Sequence, residues 1–173
     1  KKYLLFPNAK PNACHFALAQ LEKMGKLKAV VTQNIDNLHQ LAGSKHVLEL
    51  HGTLYRNYCV HCKKEFSLEY VMTQEGITHC DRCGAMVRPD VVLYEEGLNE
   101  ETLEEALRCI SEAEMLIIGG TSLNVYPAAG LVRYYRGKKL VLINKSETPY
   151  DYHADLIIRD PIGQVFSGVM VEI

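Results

Sequence analysis

Met115-Leu116-Ile117-Ile118-Gly119-Gly120-Thr121-Ser122 joins an apolar run to a glycine pair and two hydroxyl side chains. A short run with no polar break reads as a strand covered on both faces, as in parallel sheets. The glycines stop it and let a ligand approach the backbone, while the hydroxyls can bond phosphate or sugar oxygens. Working outward, Asn99 can cap a helix to about Ala113, with Leu103, Ala106, Leu107 and Ile110 on one face. Pro127 to Tyr135 suggests another helix, Leu140 to Ile143 and Leu156 to Ile158 two more strands, and Asp160-Pro161 the start of a last helix.

The N-terminal part repeats the alternation. Pro11 suits the first turn of a helix carrying Ala13, Ala17, Leu18, Leu21 and Met24, which Gly25 can end. Lys28 to Thr32 and Val47 to Leu50 are strand candidates, with a short helix from Asp36 to Ala42 between them, ended by Gly43. Strands alternating with helices predict an α/β fold, a Rossmann-like, mostly parallel sheet. Ligands of such sheets bind beyond the carboxyl ends of the strands. That rule points to Gln33-Asn34, to Gly119 through Ser122, and to Asn144. A G-G-T-S turn also occurs where nothing binds, and Asn144 reads equally well as a turn residue. No G-x-G-x-x-G and no G-x-x-x-x-G-K-[ST] occurs in the chain, so the expected sheet is incomplete at its N-terminus.

Between Arg56 and Arg88 the apolar periodicity fades. Cys59-x-x-Cys62 and Cys80-x-x-Cys83 stand 17 residues apart there, a spacing that fits a zinc ribbon. Each tight turn offers two thiolates, and four sulfurs close a tetrahedral site, so the zinc would be structural. Unmetallated or disulfide-bonded cysteines are the alternative. His61 and His79 read as exposed ribbon residues, and Cys14 and Cys109 as ordinary buried thiols. The expected division is 1–55 with 89–173 as the main domain and 56–88 as an inserted module held by something other than an apolar core.

The 173 residues, 47% of them hydrophobic, suffice for one domain and a small insert. A net charge of -2 gives no reason to expect nucleic acid. No apolar run approaches the ~20 residues of a membrane helix, and nothing resembles a signal peptide. Paired cysteines in an otherwise ordinary chain point to metal and a reducing compartment, hence cytoplasm. The chain opens at Lys1 without Met, and the expectation is that upstream residues are missing. Oligomeric state is not legible.

Thr32-Gln33-Asn34-Ile35-Asp36-Asn37-Leu38-His39-Gln40-Leu41-Ala42-Gly43 resembles the signature of the sirtuin family. Leu50-His51-Gly52, the four cysteines, Arg88-Pro89-Asp90-Val91-Val92, Gly120-Thr121-Ser122-Leu123-Asn124-Val125-Tyr126-Pro127 and Leu142-Ile143-Asn144 follow in the family's order, with a bacterial flavour. Sirtuins carry a further stretch upstream with a G-A-G-[IV]-S loop, which this chain does not contain.

The resemblance implies NAD-dependent removal of acyl groups from protein lysine, giving nicotinamide, O-acyl-ADP-ribose and free lysine. It implies NAD as co-substrate and an acyl-lysine protein or peptide as partner. By resemblance His51 is the base that acts through the ribose hydroxyls; imidazole suits that work near neutral pH. Asp36 resembles the residue that bonds the nicotinamide carboxamide, Asn34 the one that orders the ribose and a water, and Gln33 a ribose partner, with Ile35 in the same cofactor-binding stretch. Helix capping is the plainer reading of Asn34 and Asp36. Gly119, Gly120, Thr121, Ser122 and Asn144 correspond to the groups around the adenosine half. Val92, through its carbonyl, and Tyr94, through its ring, align with the acyl-lysine tunnel. The backbone near Glu96 and Val125 would pair with the substrate. Many relatives have Phe-Gly-Glu where this chain has Tyr94-Glu95-Glu96, and the two carboxylates could favour basic substrates. The rival expectation is a truncated, catalytically deficient zinc-binding remnant that acts only in binding.

Overall fold

The computed structural model describes residues 8–169; residues 1–7 and 170–173 of the expected main domain lie outside that range. Contacts divide the chain into two compact units. Of the described residues, the first holds 8–9, Thr32–Asn37 and Glu49–Leu98; the second holds Lys10–Val31, Leu38–Leu48 and 99–169. The boundary falls within two short strands, β1 (Val30–Thr32) and β2 (Val47–Glu49), which pair with each other.

The second unit is built on a parallel sheet of β6 (Leu116–Gly119), β7 (Leu140–Ile143) and β8 (Leu156–Ile158), in that order. Strand residues alternate faces. Ile118, Leu140 and Leu142 pack with Leu123 and Ala129, the latter on a 3₁₀ helix, Ala128–Tyr134. Val141, Ile143 and Ile158 face α1 (Ala13–Lys23) and α5 (Ile162–Val169) through Cys14, Ala17 and Phe166. Both faces being covered explains why Leu140 to Ile143 carries no polar residue. The helix expected over Pro127 to Tyr135 is a 3₁₀ helix instead, with Pro127 at its N-cap.

Asn12, not Pro11, starts α1: its side chain accepts from the Cys14 and His15 N–H groups, and Pro11 stands one residue outside the helix. Asn99 caps α4 (Glu100–Ser111) by accepting from Thr102 N–H at 2.8 Å. The short helix expected from Asp36 shrinks to α2, Leu38–Leu41. Asn37, ahead of it, takes a left-handed φ of 62°, a conformation that Asn tolerates better than most residues.

The first unit is an antiparallel sheet, β4 (Glu65–Ser67), β3 (Gly52–Cys59) and β5 (Val87–Val91), with α3 (Leu68–Thr73) capped by Ser67. Its sheet begins at Gly52, ahead of Arg56. An apolar core is present here after all: Cys59, Phe66, Val71, Cys80 and Val87 bury one another. Two of the five are cysteines, so composition alone disguises the cluster as a core-free insert.

Candidate active site and metal centre

Cys59, Cys62, Cys80 and Cys83 bring their sulfurs within 4.8 Å of one another. Cys59 and Cys83 are 3.4 Å apart and Cys62 and Cys80 3.6 Å. All six cysteines are free thiols, so the disulfide alternative fails. The two knuckles share one backbone plan. Lys63 N–H donates to the Cys59 carbonyl and Gly84 N–H to the Cys80 carbonyl. The Cys62 and Arg82 N–H groups point at the Cys59 and Cys80 sulfurs. Each turn closes on a left-handed residue, Lys63 at φ 58° and Gly84 at φ 74°.

Burial raises the Cys59 thiol, but N–H donors from Cys62 and His61 outweigh it and bring it down to about 6. The Ala85 N–H pulls Cys83 the other way from its sulfur neighbours, and these push it up to about 12. Four thiols this close cannot all ionise without a cation among them, and the tetrahedral separation of the sulfurs suits zinc. His61 and His79 are exposed and outside the group, and His79 bonds the Gly84 carbonyl.

In the same unit β1 ends at Thr32 and the chain runs on through Gln33 to Asn37. The Thr32 carbonyl accepts from Leu50 N–H and the Ile35 carbonyl from Leu54 N–H, which fixes this loop beside the start of β3. His51 is half-buried there. Its Nδ1 lies 2.9 Å from the Gln33 carbonyl oxygen. A carbonyl only accepts, so Nδ1 carries a proton, and in the neutral ring Nε2 is the nitrogen with the free lone pair. The His51 carbonyl accepts in turn from Val92 N–H. Gly52 is required next to it: φ is 71°, and a Cβ would stand 2.0 Å from the Asp90 carbonyl oxygen. Asn34 is exposed and donates through Nδ2 to Asp36 at 3.2 Å, while its N–H donates to Thr32 Oγ1. Neither Asn34 nor Asp36 is the N-cap that the plainer reading required, since the helix starts at Leu38.

Val92 follows β5, and the turn after it is held by an ion pair between Arg88 and Glu96. Arg88 donates to both Glu96 oxygens, at 2.7 and 2.9 Å, and to the Val91 carbonyl. Glu96 also accepts from Leu93 N–H. The Arg88 guanidinium first, then that N–H, hold the Glu96 carboxyl down to about 2. Glu96 is therefore engaged internally and is not free to select basic substrates. Glu95 sits at φ 73°, so this turn takes the left-handed conformation that glycine favours without having glycine there. Tyr94 is fully exposed.

In the second unit a cleft of about 550 Å³ opens at the carboxyl ends of β6 and β7, lined by Gly120, Asn144, Ser146, Ile162, Gly163 and Gln164 among others. Gly119 is pressed against α5; a Cβ there would stand 2.3 Å from Ile162 Cδ1. Gly120 takes φ 62° and donates its N–H to the Ile143 carbonyl. Thr121 Oγ1 accepts from Leu123 N–H, and Ser122 is exposed. Asn144 turns its amide to the Ser146 carbonyl at 2.8 Å, and Val125 is exposed at the foot of the 3₁₀ helix. The contribution of α5 and Ser146 to this cleft was missed because no motif marks it; only the strand-end rule pointed near it.

The Sir2 family model matches residues 1–127. An NAD-dependent protein deacetylase of Clostridium acetobutylicum is 60% identical over 171 residues, 98% of this chain and 70% of that protein. This chain belongs to the Sir2 family. A solved Sir2 structure with a p53 peptide and NAD+ superposes with a TM-score of 0.88 at 43% identity, covering 95% of this chain and 70% of the other. A second Sir2 structure, with 2'-O-acetyl-ADP-ribose and a deacetylated p53 peptide, gives 0.89 at 44% identity, over 97% and 75%. The sirtuin resemblance and the α/β fold expected from the sequence are thus borne out.

Proposed function

We propose that this sirtuin is an NAD-dependent protein-lysine deacetylase whose general base is Nε2 of His51. The bond from Nδ1 to the Gln33 carbonyl carries that reading, because it fixes the tautomer that can accept a proton. NAD supplies a sugar carbon with nicotinamide as leaving group, and the acyl leaves as O-acyl-ADP-ribose with free lysine. Asn34 and Asp36, bonded to each other, would orient the nicotinamide ribose and carboxamide, with Gln33 and Ile35 supplying the loop around them. Gly119, Gly120, Thr121, Ser122 and Asn144 would take the adenosine half. Val92 would receive the acyl-lysine N–H on its carbonyl, Tyr94 would offer its ring to the lysine stem, and the backbone near Glu96 and Val125 would pair with the flanking peptide.

Cys59, Cys62, Cys80 and Cys83 would hold one structural zinc, with no open position for chemistry. The division into a Rossmann-like part (1–55 and 89–173) and a zinc ribbon (56–88) belongs to the same reading. Among the described residues no helix is long and apolar enough to cross a membrane. Six unbridged cysteines support work in the cytoplasm. A remnant that only binds has no use for a base held in one tautomer beside two amide-orienting side chains, so the catalytic reading is preferred to it.

The test uses the longest natural polypeptide containing this chain, with an acetylated peptide and NAD. His51→Ala should abolish nicotinamide release while zinc content stays at wild-type level. Retained turnover in that variant would remove His51 from the base position.

A further inference from the structure

Beyond the four cysteines, one other group of metal-ligating side chains converges among the described residues: His46, Glu105 and Cys109, with ligand atoms within 4.8 Å of one another. All three belong to the second unit. His46 Nε2 lies 3.4 Å from Glu105 Oε1, and Cys109 Sγ lies 3.6 Å from the same oxygen. Zinc binds nitrogen at about 2.0 Å, carboxylate oxygen at about 2.1 Å and sulfur at about 2.3 Å. Tetrahedral angles at those lengths separate nitrogen from oxygen by about 3.4 Å and sulfur from oxygen by about 3.6 Å. The observed separations therefore match a shared tetrahedral ion as well as they match two weak hydrogen bonds.

The surroundings fix each ligand. His46 Nδ1 lies 2.8 Å from the Lys28 carbonyl oxygen, so it carries a proton, and Nε2, the nitrogen on the Glu105 side, is the one left to bind an ion once the ring is neutral. A ring nitrogen bonded in this way is the usual support of a metal-bound histidine. The backbone on either side of His46 is held too: Glu22 accepts from the Lys45 and His46 N–H groups at 2.9 and 2.6 Å, and the His46 carbonyl accepts from Val30 N–H. Arg108 donates to both oxygens of Glu105, at 2.6 and 2.8 Å. It orients the carboxylate, and an oxygen with two lone pairs can serve Arg108 and an ion together. Glu105 and Cys109 sit four residues apart on α4, which stacks them on one helix face. Cys109 is buried, whereas the side chains of His46 and Glu105 are 40% and 32% exposed. Solvent thus has access to a fourth position.

We infer that His46, Glu105 and Cys109 form a second zinc site, three-liganded and open to water, distinct from the four-cysteine centre. On binding, a Zn–S bond forms, the Cys109 thiol proton passes to solvent, and no electron is transferred. The mixed nitrogen, oxygen and sulfur set favours zinc over calcium or magnesium, which take oxygen ligands.

The experiment titrates the purified full chain with zinc after chelation and counts bound metal, then repeats the titration with Co²⁺ as an optical probe. The wild type should hold two zinc ions per chain, the weaker of them removed first by chelator. His46→Gln and Cys109→Ser should each hold one, with the thiolate charge-transfer absorption of the four-cysteine centre retained in the cobalt form. His46→Gln alters a partly exposed side chain, so it stays informative if the buried Cys109→Ser variant misfolds. One zinc per chain in the wild type, or two in a folded His46→Gln variant, would overturn the inference.

Discussion

The antiparallel sheet that carries the four cysteines and the parallel sheet of β6, β7 and β8 solve the same problem by different means. The parallel sheet buries its central strand: Leu140, Leu142 and Ile143 of β7 are each at most 6% exposed, whereas Ile117, Leu156 and Ile157 on the flanking strands are exposed. The cysteine sheet buries five residues, two of them thiols, and leaves Tyr55, Val60, Met72, Ile77 and Met86 exposed. Small sheets of that kind bury too little apolar area to offset the ordering of their chain, and a metal supplies the difference. The first region should therefore answer to chelators and the second to cavities.

Stripping zinc breaks the comparison most severely. A structural zinc site contributes on the order of 10 kcal/mol to its fold. Chelation, or Cys80→Ala, should abolish hydrogen-exchange protection at the Cys59, Cys80 and Val87 N–H groups and leave that of Leu142 in place. Unchanged protection around Val87 after verified zinc loss would show that the apolar cluster alone sustains the sheet. Leu142→Ala is the reciprocal experiment. Leu142 is 1% exposed in the centre of β7, and the cavity should cost about 2–5 kcal/mol. Denaturant melting should report that loss, with zinc still bound at the midpoint.

Within the cysteine sheet the two knuckles can be set against each other. Left-handed backbone costs a non-glycine residue roughly 1–2 kcal/mol. Lys63→Gly should stabilise the first knuckle by about 1 kcal/mol, and Gly84→Ala should destabilise the second by about the same amount. Thermal melting that moves both in one direction would contradict the shared backbone plan. The smallest effect concerns Glu96. Its carboxyl is held at about 2 against an ordinary 4.5, so the Arg88 clamp contributes fully above 4.5 and fades as pH falls toward 2. At about pH 4 the carboxylate should still be ionised, as read by its ¹³C shift. A midpoint near the ordinary value would mean that Arg88 does not hold it.

Much of this was legible in the chain itself. The strand at Leu140 to Ile143 was readable because double-sided burial leaves an uninterrupted apolar run, and the Asn99 cap because its side chain bonds within one turn. The strands at Met115 to Ile118 and Leu156 to Ile158 were readable from composition alone, since Met115, Ile117, Leu156 and Ile157 are apolar although exposed. The β1 and β2 strands were found with loose ends, since pairing partners rather than propensity set where a ladder stops. The seven-residue 3₁₀ helix was read as an ordinary helix because apolar spacing hardly separates the two over two turns. The core around Phe66 and Val71 went unseen, since thiols that pack as hydrophobes were counted only as ligands.

What the sequence determined alone was local or motif-borne: the apolar strand runs, the Asn99 cap, the paired C-x-x-C turns and the Thr32 to Gly43 and His51 signatures. Tertiary structure decided which nitrogen of His51 faces the Gln33 carbonyl, because that carbonyl lies 18 residues away in sequence. It decided that the Glu96 carboxylate bonds Arg88, and that His46 meets Glu105 and Cys109 from a different part of the chain. Hydrogen bonds and ligand distances depend on positions in space to a fraction of an ångström, and only the packed chain sets those positions.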